Sequence, residues 1–209
     1  VSLEENLPLI KQAVELSSKS DLVILAIGES VLLSREAWGG NHIGDRATMD
    51  LTESQQHLVK SILATGKPIV TFLNNSKPIT FGPLGDQLKT VLSGHYAGQE
   101  TGTAAAEIIF GEINPSGKLT LSWPRTVGHL PSHYSQHGSS TVFDYLDSPR
   151  GPVFPFGHGL SYTSFKYGNP SVSSQTIQPG QEITVSFKLT NTGDVTGTEI
   201  TQVYVSGEG

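Results

Sequence analysis

The stretch Leu22-Val23-Ile24-Leu25-Ala26-Ile27 limits the fold more than any other. Six apolar residues without alternation predict a strand buried on both faces, the pattern of a parallel sheet. Gly28 breaks the strand, and a polar loop follows that carries Glu29 and Glu36, seven positions apart. In open α/β sheets ligands bind at the carboxyl ends of the strands. A carboxylate on such a loop is a candidate general acid or base.

The segments around this strand repeat one pattern. Residues 4–19 place Leu7, Ile10, Ala13 and Val14 on one helical face, ahead of the strand. Thr52-Glu53-Ser54-Gln55 predicts a capping box, with Thr52 as N-cap and Gln55 at the third helical position. Leu58, Val59, Ile62 and Leu63 form that helix's apolar stripe; Gly66 and Pro68 stop it. Ile69–Leu73 is a second buried strand and Leu88–Ser93 a third, followed by an alanine-rich helix over Glu100–Phe110 capped by Gly111. Successive strand and helix units of this kind predict an α/β domain with a mainly parallel sheet flanked by helices.

After Asn114-Pro115-Ser116-Gly117 the pattern changes. Lys118–Pro124 alternates like an edge strand, and residues 125–152 form a long loop rich in His, Ser, Gly and Pro. From Lys166 onward the pattern is all β: Ile183, Val185, Phe187 and Leu189 alternate with polar residues, and Ile200–Val205 is a further strand. This reads as the opening of a β-sandwich cut short, since such a sandwich has about seven strands. The expected domains are therefore 1–165, a partial α/β sandwich domain, and 166–209, the first strands of a truncated β-sandwich. The chain reads as a piece of something longer.

Composition narrows the function. There is no cysteine, which removes disulfides, thiol catalysis and cysteine metal sites. A net charge of -6 without any basic run argues against nucleic acid as a partner. No apolar run approaches the ~20 residues of a membrane span, so no membrane partner is expected. His129, His133 and His137 fall at i, i+4 and i+8, but Pro131 and Gly138 break the helix that would align them, and no metal site is expected. Asn74-Asn75-Ser76 is a formal glycosylation sequon at a buried strand's end, a poor place for a glycan.

Four segments together resemble glycoside hydrolase family 3, the β-glucosidase and β-xylosidase family. They are the Gly28-Glu29 to Glu36 spacing with Asp45-Arg46 beyond it, Ala64–Val70, Gly111–Leu119, and Pro155–Thr163. Their order and spacing match along nearly the whole chain. The resemblance implies a parent protein in which a (β/α)8-like barrel carries an aspartate nucleophile. An α/β sandwich domain then lends its general acid/base glutamate to that barrel, and a fibronectin type III-like domain follows. This chain is similar to the later part of the sandwich domain and the start of the last one, and the barrel is absent from it.

By that resemblance Glu36 is the catalytic acid/base of a retaining exo-β-glycosidase acting on a β-linked glucoside or oligosaccharide, with β-xylosides as runner-up. No metal and no other cofactor is implied. The missing barrel domain is the expected partner within the parent protein, homo-oligomers are left open, and a periplasmic or secreted location is implied. Trp38 offers an aromatic face to a sugar or packs within its loop, and His42 shares that loop. Glu29 either assists the site, as a sugar-hydroxyl acceptor or a partner of other side chains, or bonds nearby backbone donors. Asp45 and Arg46 read as an ion pair pinning the loop. The other class of reading is a non-catalytic carbohydrate-binding or scaffolding fragment.

Overall fold

The computed structural model describes residues 2–30, 46–135 and 145–207. It opens with helix α1, Leu3–Ser18, which starts at a capping box that the sequence reading did not single out. The Ser2 hydroxyl accepts from the Glu5 amide at 3.3 Å, and Glu5 Oε2 accepts from the Ser2 amide at 2.8 Å. Of the expected apolar face only Ile10 is fully buried; Leu7 is exposed.

Strands β1 (Val23–Gly28), β2 (Ile69–Asn74) and β3 (Val91–Ser93) form a parallel sheet in the order β1-β2-β3. The register pairs Leu25 with Thr71 and Ile27 with Leu73, and β2 pairs in turn with β3, Thr71 standing opposite Val91. Helix α2, Glu53–Leu63, lies between β1 and β2 in sequence and packs against α1. Its Val59 and Ile62 are fully buried, and each such side chain contributes about 1.5–3 kcal/mol. Val59 joins Leu25, Ile27, Leu73, Ile79, Leu84, Leu88 and Trp123 in one core. A 3-10 helix over Gly82–Gln87 supplies Leu84, and the Trp123 indole N–H donates to the Ile79 carbonyl at 2.9 Å.

The parallel α/β arrangement agrees with the sequence. Burial on both faces of β1 does not: Leu25 and Ile27 are buried, whereas Ile24 is 47% exposed and Ala26 is also exposed. An unbroken apolar run is compatible with cover on either side, but the described core lies on one face only. Helix α3, Thr101–Ile109, follows β3 and has no fully buried residue.

Lys118–Pro124 is not a strand. It pairs with 153–158 through scattered backbone bonds, including Trp123 to Phe154, Val153 to Trp123 and Gly157 to Leu119, and only the Trp123–Phe154 bridge is ladder-like. Pro124, Pro152 and Pro155 have no N–H to donate, which prevents a continuous ladder.

The β-rich remainder is sparser than its pattern predicts. Strands β4 (Phe165–Tyr167) and β7 (Leu189–Asn191) pair antiparallel, as do β5 (Ser171–Val172) and β6 (Val185–Ser186). The single strand expected over 183–189 is divided between β6 and β7. Ile200–Val205 is not a strand, because among the described residues no neighbour pairs with its backbone. Its side chains make contacts instead: the Gln202 amide donates to the Gly157 carbonyl at 2.9 Å, and the Tyr204 ring lies 5.9 Å from that of Tyr134.

Candidate active site

The carboxyl ends of β1, β2 and β3 bring together Gly28, Glu29, Asn74, Asn75, Ser76 and Ser93. Gly28 holds a backbone conformation, φ +139°, that only glycine adopts readily. A Cβ here would stand 1.8 Å from the Asn74 carbonyl oxygen, so the strand exit admits no side chain at all. Gln55 reaches over from the first turn of α2 and fixes the same point. Its Oε1 accepts from the Gly28 amide at 2.8 Å, and its Nε2 donates to the Gly28 carbonyl at 2.7 Å. The expected capping box is therefore absent. Thr52 is the N-cap residue, yet neither it nor Gln55 caps through its side chain.

Glu29 follows immediately and is buried, with its amide bonded to the Asn74 carbonyl at 2.8 Å. Its side chain accepts from the Ser76 hydroxyl at 3.3 Å through Oε2. Arg46 Nη1 stands 3.9 Å from Oε1, an oxygen with no hydrogen-bond donor among the described residues. Asn75 is fully buried, donating to the Lys77 carbonyl at 2.9 Å and accepting from the Ser93 hydroxyl at 3.0 Å. Asn74 Nδ2 points back to the Glu29 carbonyl at 3.4 Å, so the sequon asparagine belongs to this network.

Glu36, Trp38, His42 and Asp45 lie outside the described residues. The two ends of their segment, Glu29 and Arg46, are within it and meet. The expected pair of Asp45 with Arg46 falls partly outside the described residues; within them Arg46 stands in ion-pair range of Glu29, whose carboxylate meets the side chains of Ser76 and Arg46. Gln55 is the contributor that sequence reasoning missed; a glutamine at the third helical position can cap its own helix or reach a neighbouring strand, and the pattern is the same for both.

The two motifs near the end of the domain are fitted to each other rather than to this site. Asn114 accepts from the Ser161 hydroxyl at 2.9 Å and the Tyr162 amide at 2.8 Å, and donates to the Thr196 carbonyl at 3.0 Å. A Cβ on Gly159 would lie 2.3 Å from the Gly117 carbonyl, so the two glycine-containing turns touch. His129 engages both ring nitrogens, with Thr126 at 2.9 Å and the Pro149 carbonyl at 3.1 Å. A cavity of about 610 Å³ lies elsewhere, lined by Trp123, Arg125, Tyr145, Asp147 and Phe154 among others, and its described lining includes neither Glu29 nor Arg46.

Residues 5–162 match the family model described as the glycosyl hydrolase family 3 C-terminal domain. The chain belongs to glycosyl hydrolase family 3. A β-xylosidase from Formosa agariphila is 41% identical over 197 residues, which cover 93% of this chain and 26% of that protein. A periplasmic β-glucosidase from Salmonella typhimurium is 35% identical, covering 94% of this chain and 26% of that protein. Among solved structures, a β-glucosidase from Erythrobacter marinus superposes with a TM-score of 0.87 at 36% identity, covering 93% of this chain and 26% of its own. A β-glucosidase from Listeria innocua in complex with glucose gives a TM-score of 0.76 at 31% identity, covering 90% of this chain and 27% of its own. The family 3 chain described here thus spans about a quarter of the length of these relatives.

Proposed function

We propose that this chain is the acid/base-bearing part of a retaining exo-β-glycosidase. Residues 1–165 form a partial α/β sandwich domain and 166–209 the first strands of a fibronectin type III-like domain. In this reading Glu36 protonates the departing glycosidic oxygen while an aspartate on a barrel domain outside this chain attacks the anomeric carbon. Glu36 then takes a proton from the water that hydrolyses the glycosyl-enzyme. A retaining mechanism needs the two carboxyl groups about 5–5.5 Å apart. A loop carboxylate reaching from one domain to another can meet that distance.

The observation that carries the proposal is the anchoring of the Glu36 segment. It leaves the sheet at the carboxyl end of β1, at a glycine fixed on one side by β2 and on the other by Gln55. A general acid must be held within hydrogen-bond reach of one oxygen, and a firmly fixed origin serves that need. Relatives named β-glucosidase and β-xylosidase support the reaction class. Terminal β-glucosides are the first substrate choice and β-xylosides the second, the latter favoured by the 41% identical relative. The periplasmic relative supports a periplasmic or secreted location.

The test is hydrolysis of nitrophenyl β-glucoside and β-xyloside by the full-length gene product. Turnover with retained anomeric configuration, lost in Glu36→Gln, is the expected result. Sugar binding without turnover, unaffected by Glu36→Gln, would instead make the protein a binding module.

A further inference from the structure

Glu29 is the one buried charged residue among those described. An ionised carboxylate is costly to bury unless something compensates it. Ser76 supplies one hydroxyl, and the described counter-charge within ion-pair range is Arg46. At 3.9 Å the Arg46 contact is too long for a hydrogen bond but within ion-pair range of a carboxylate shielded from water. The Glu29 side chain is only 3% exposed, so the polar partners it has in this position are protein groups.

The two members of this pair also stand at the two ends of one segment. Glu29 is the first residue after β1, Arg46 lies just before the stretch that leads into Asp50 and α2, and Glu36 lies between them. The geometry points to Glu29, through its pair with Arg46, as a positioning residue for the general acid/base carboxyl carried between them; this rests on the assignment of that role to Glu36. The pair ties both ends of the segment to the carboxyl end of the sheet, beside the fixed backbone of Gly28. Misplacing a catalytic group by about 1 Å lowers the rate roughly 100-fold, so a tie at both ends bears directly on proton transfer.

A positioning role has a signature that general damage to the fold lacks. Expulsion of a poor leaving group requires the proton, whereas a 2,4-dinitrophenolate departs without it. In the full-length gene product, Glu29→Gln is expected to lower kcat/KM for phenyl β-glucoside roughly 10- to 100-fold. The fall for 2,4-dinitrophenyl β-glucoside is expected to stay within about 3-fold, since that step needs little acid catalysis. Arg46→Lys keeps the charge and loses the guanidinium fork, and is expected to show the same split in smaller degree. The double variant is expected to fall no further than the worse single one, because the two residues act as a unit. Arg46→Lys also carries the test if Glu29→Gln lowers the yield of folded protein.

Equal losses on both substrates, or no loss on either, would overturn the positioning role. Glu36→Gln run alongside separates this from failure of the underlying assignment. A leaving-group split in Glu36→Gln but not in Glu29→Gln or Arg46→Lys refutes the positioning role alone. No split in Glu36→Gln refutes the acid/base assignment, and the positioning role with it.

Discussion

Gln55 holds Gly28 by both halves of its backbone, one side-chain amide donating to the carbonyl at 2.7 Å and accepting from the N–H at 2.8 Å. The helix that follows the proposed catalytic segment therefore fixes the strand that precedes it. Replacing Gln55 by Ala removes both bonds and leaves two half-buried backbone groups to find water. The expected loss of stability is about 1–3 kcal/mol, at roughly 0.5–1.5 kcal/mol per bond. Gln55→Glu is expected to be at least as damaging, because the carboxylate has no proton to give the Gly28 carbonyl. Urea midpoints of the three proteins test this order.

Gly28→Ala should be harsher. The new methyl would enter the Asn74 carbonyl oxygen, and the φ of +139° is itself costly for any other residue. Backbone strain of this kind costs on the order of 1–3 kcal/mol before any steric term. The loss is expected to exceed that of Gln55→Ala in the same urea series, with exchange of the Glu29 and Gly94 amides speeding up as the ends of β1 and β2 separate. Both amides donate across the sheet, to the carbonyls of Asn74 and Leu73.

Asn114 makes three hydrogen bonds, two to Ser161 and Tyr162 and one, across to the β-rich part, to the Thr196 carbonyl. Asn114→Ala removes all three, at about 1 kcal/mol each. The effect is expected to be local, so limited proteolysis with identification of fragments by mass is the measurement. Cleavage should accelerate on the C-terminal side of Tyr162 while the core around Val59 and Trp123 stays protected.

Glu5 gives a prediction in pH. The Ser2 amide first, and then the Ser2 hydroxyl, hold its carboxyl below the usual value of 4.5. The folded group thus gives up its proton more readily than the unfolded one. Its contribution is present above about pH 4.5 and is lost as pH falls through the lower, folded value. An NMR titration of the Glu5 side-chain carboxyl should have its midpoint below 4.5, and Ser2→Ala should move it up towards that value.

Much of this architecture is legible in the residues. Three short apolar runs, a Thr52 start, a Gly66-Pro68 stop and an alanine-rich helix place β1 to β3, α2 and α3 within a few positions. These signals are local, and each element makes its own. What was not legible depends on neighbours. The Leu22–Ile27 run looks buried on both faces because it is apolar throughout, yet Ile24 is exposed, since cover comes from whatever packs there and not from the strand. Ile200–Val205 has strand chemistry but no described partner for its hydrogen bonds. At the site, Glu29 and Arg46 are each visible in the sequence, but their meeting depends on the path of the chain between them and not on spacing. Gln55 reads as a cap of its own helix because its use on a neighbouring strand leaves no trace in sequence.

Thr71 carries a buried hydroxyl that the described sheet does not use. It sits in the central strand, wholly buried between Leu25 of β1 and Val91 of β3, and its hydroxyl has no hydrogen-bond partner among the described residues. A buried hydroxyl without a partner costs about 1–3 kcal/mol. Valine has nearly the same shape, suits a strand at least as well, and brings no polar atom. Thr71→Val is therefore expected to raise stability by about 1 kcal/mol, read as a higher urea midpoint with an unchanged slope. Thr71→Ser keeps the hydroxyl and opens a methyl-sized gap, and should be the least stable of the three. If Thr71→Val is instead destabilising by a similar amount, the hydroxyl has a partner in the folded protein, and the order of the two variants would reverse.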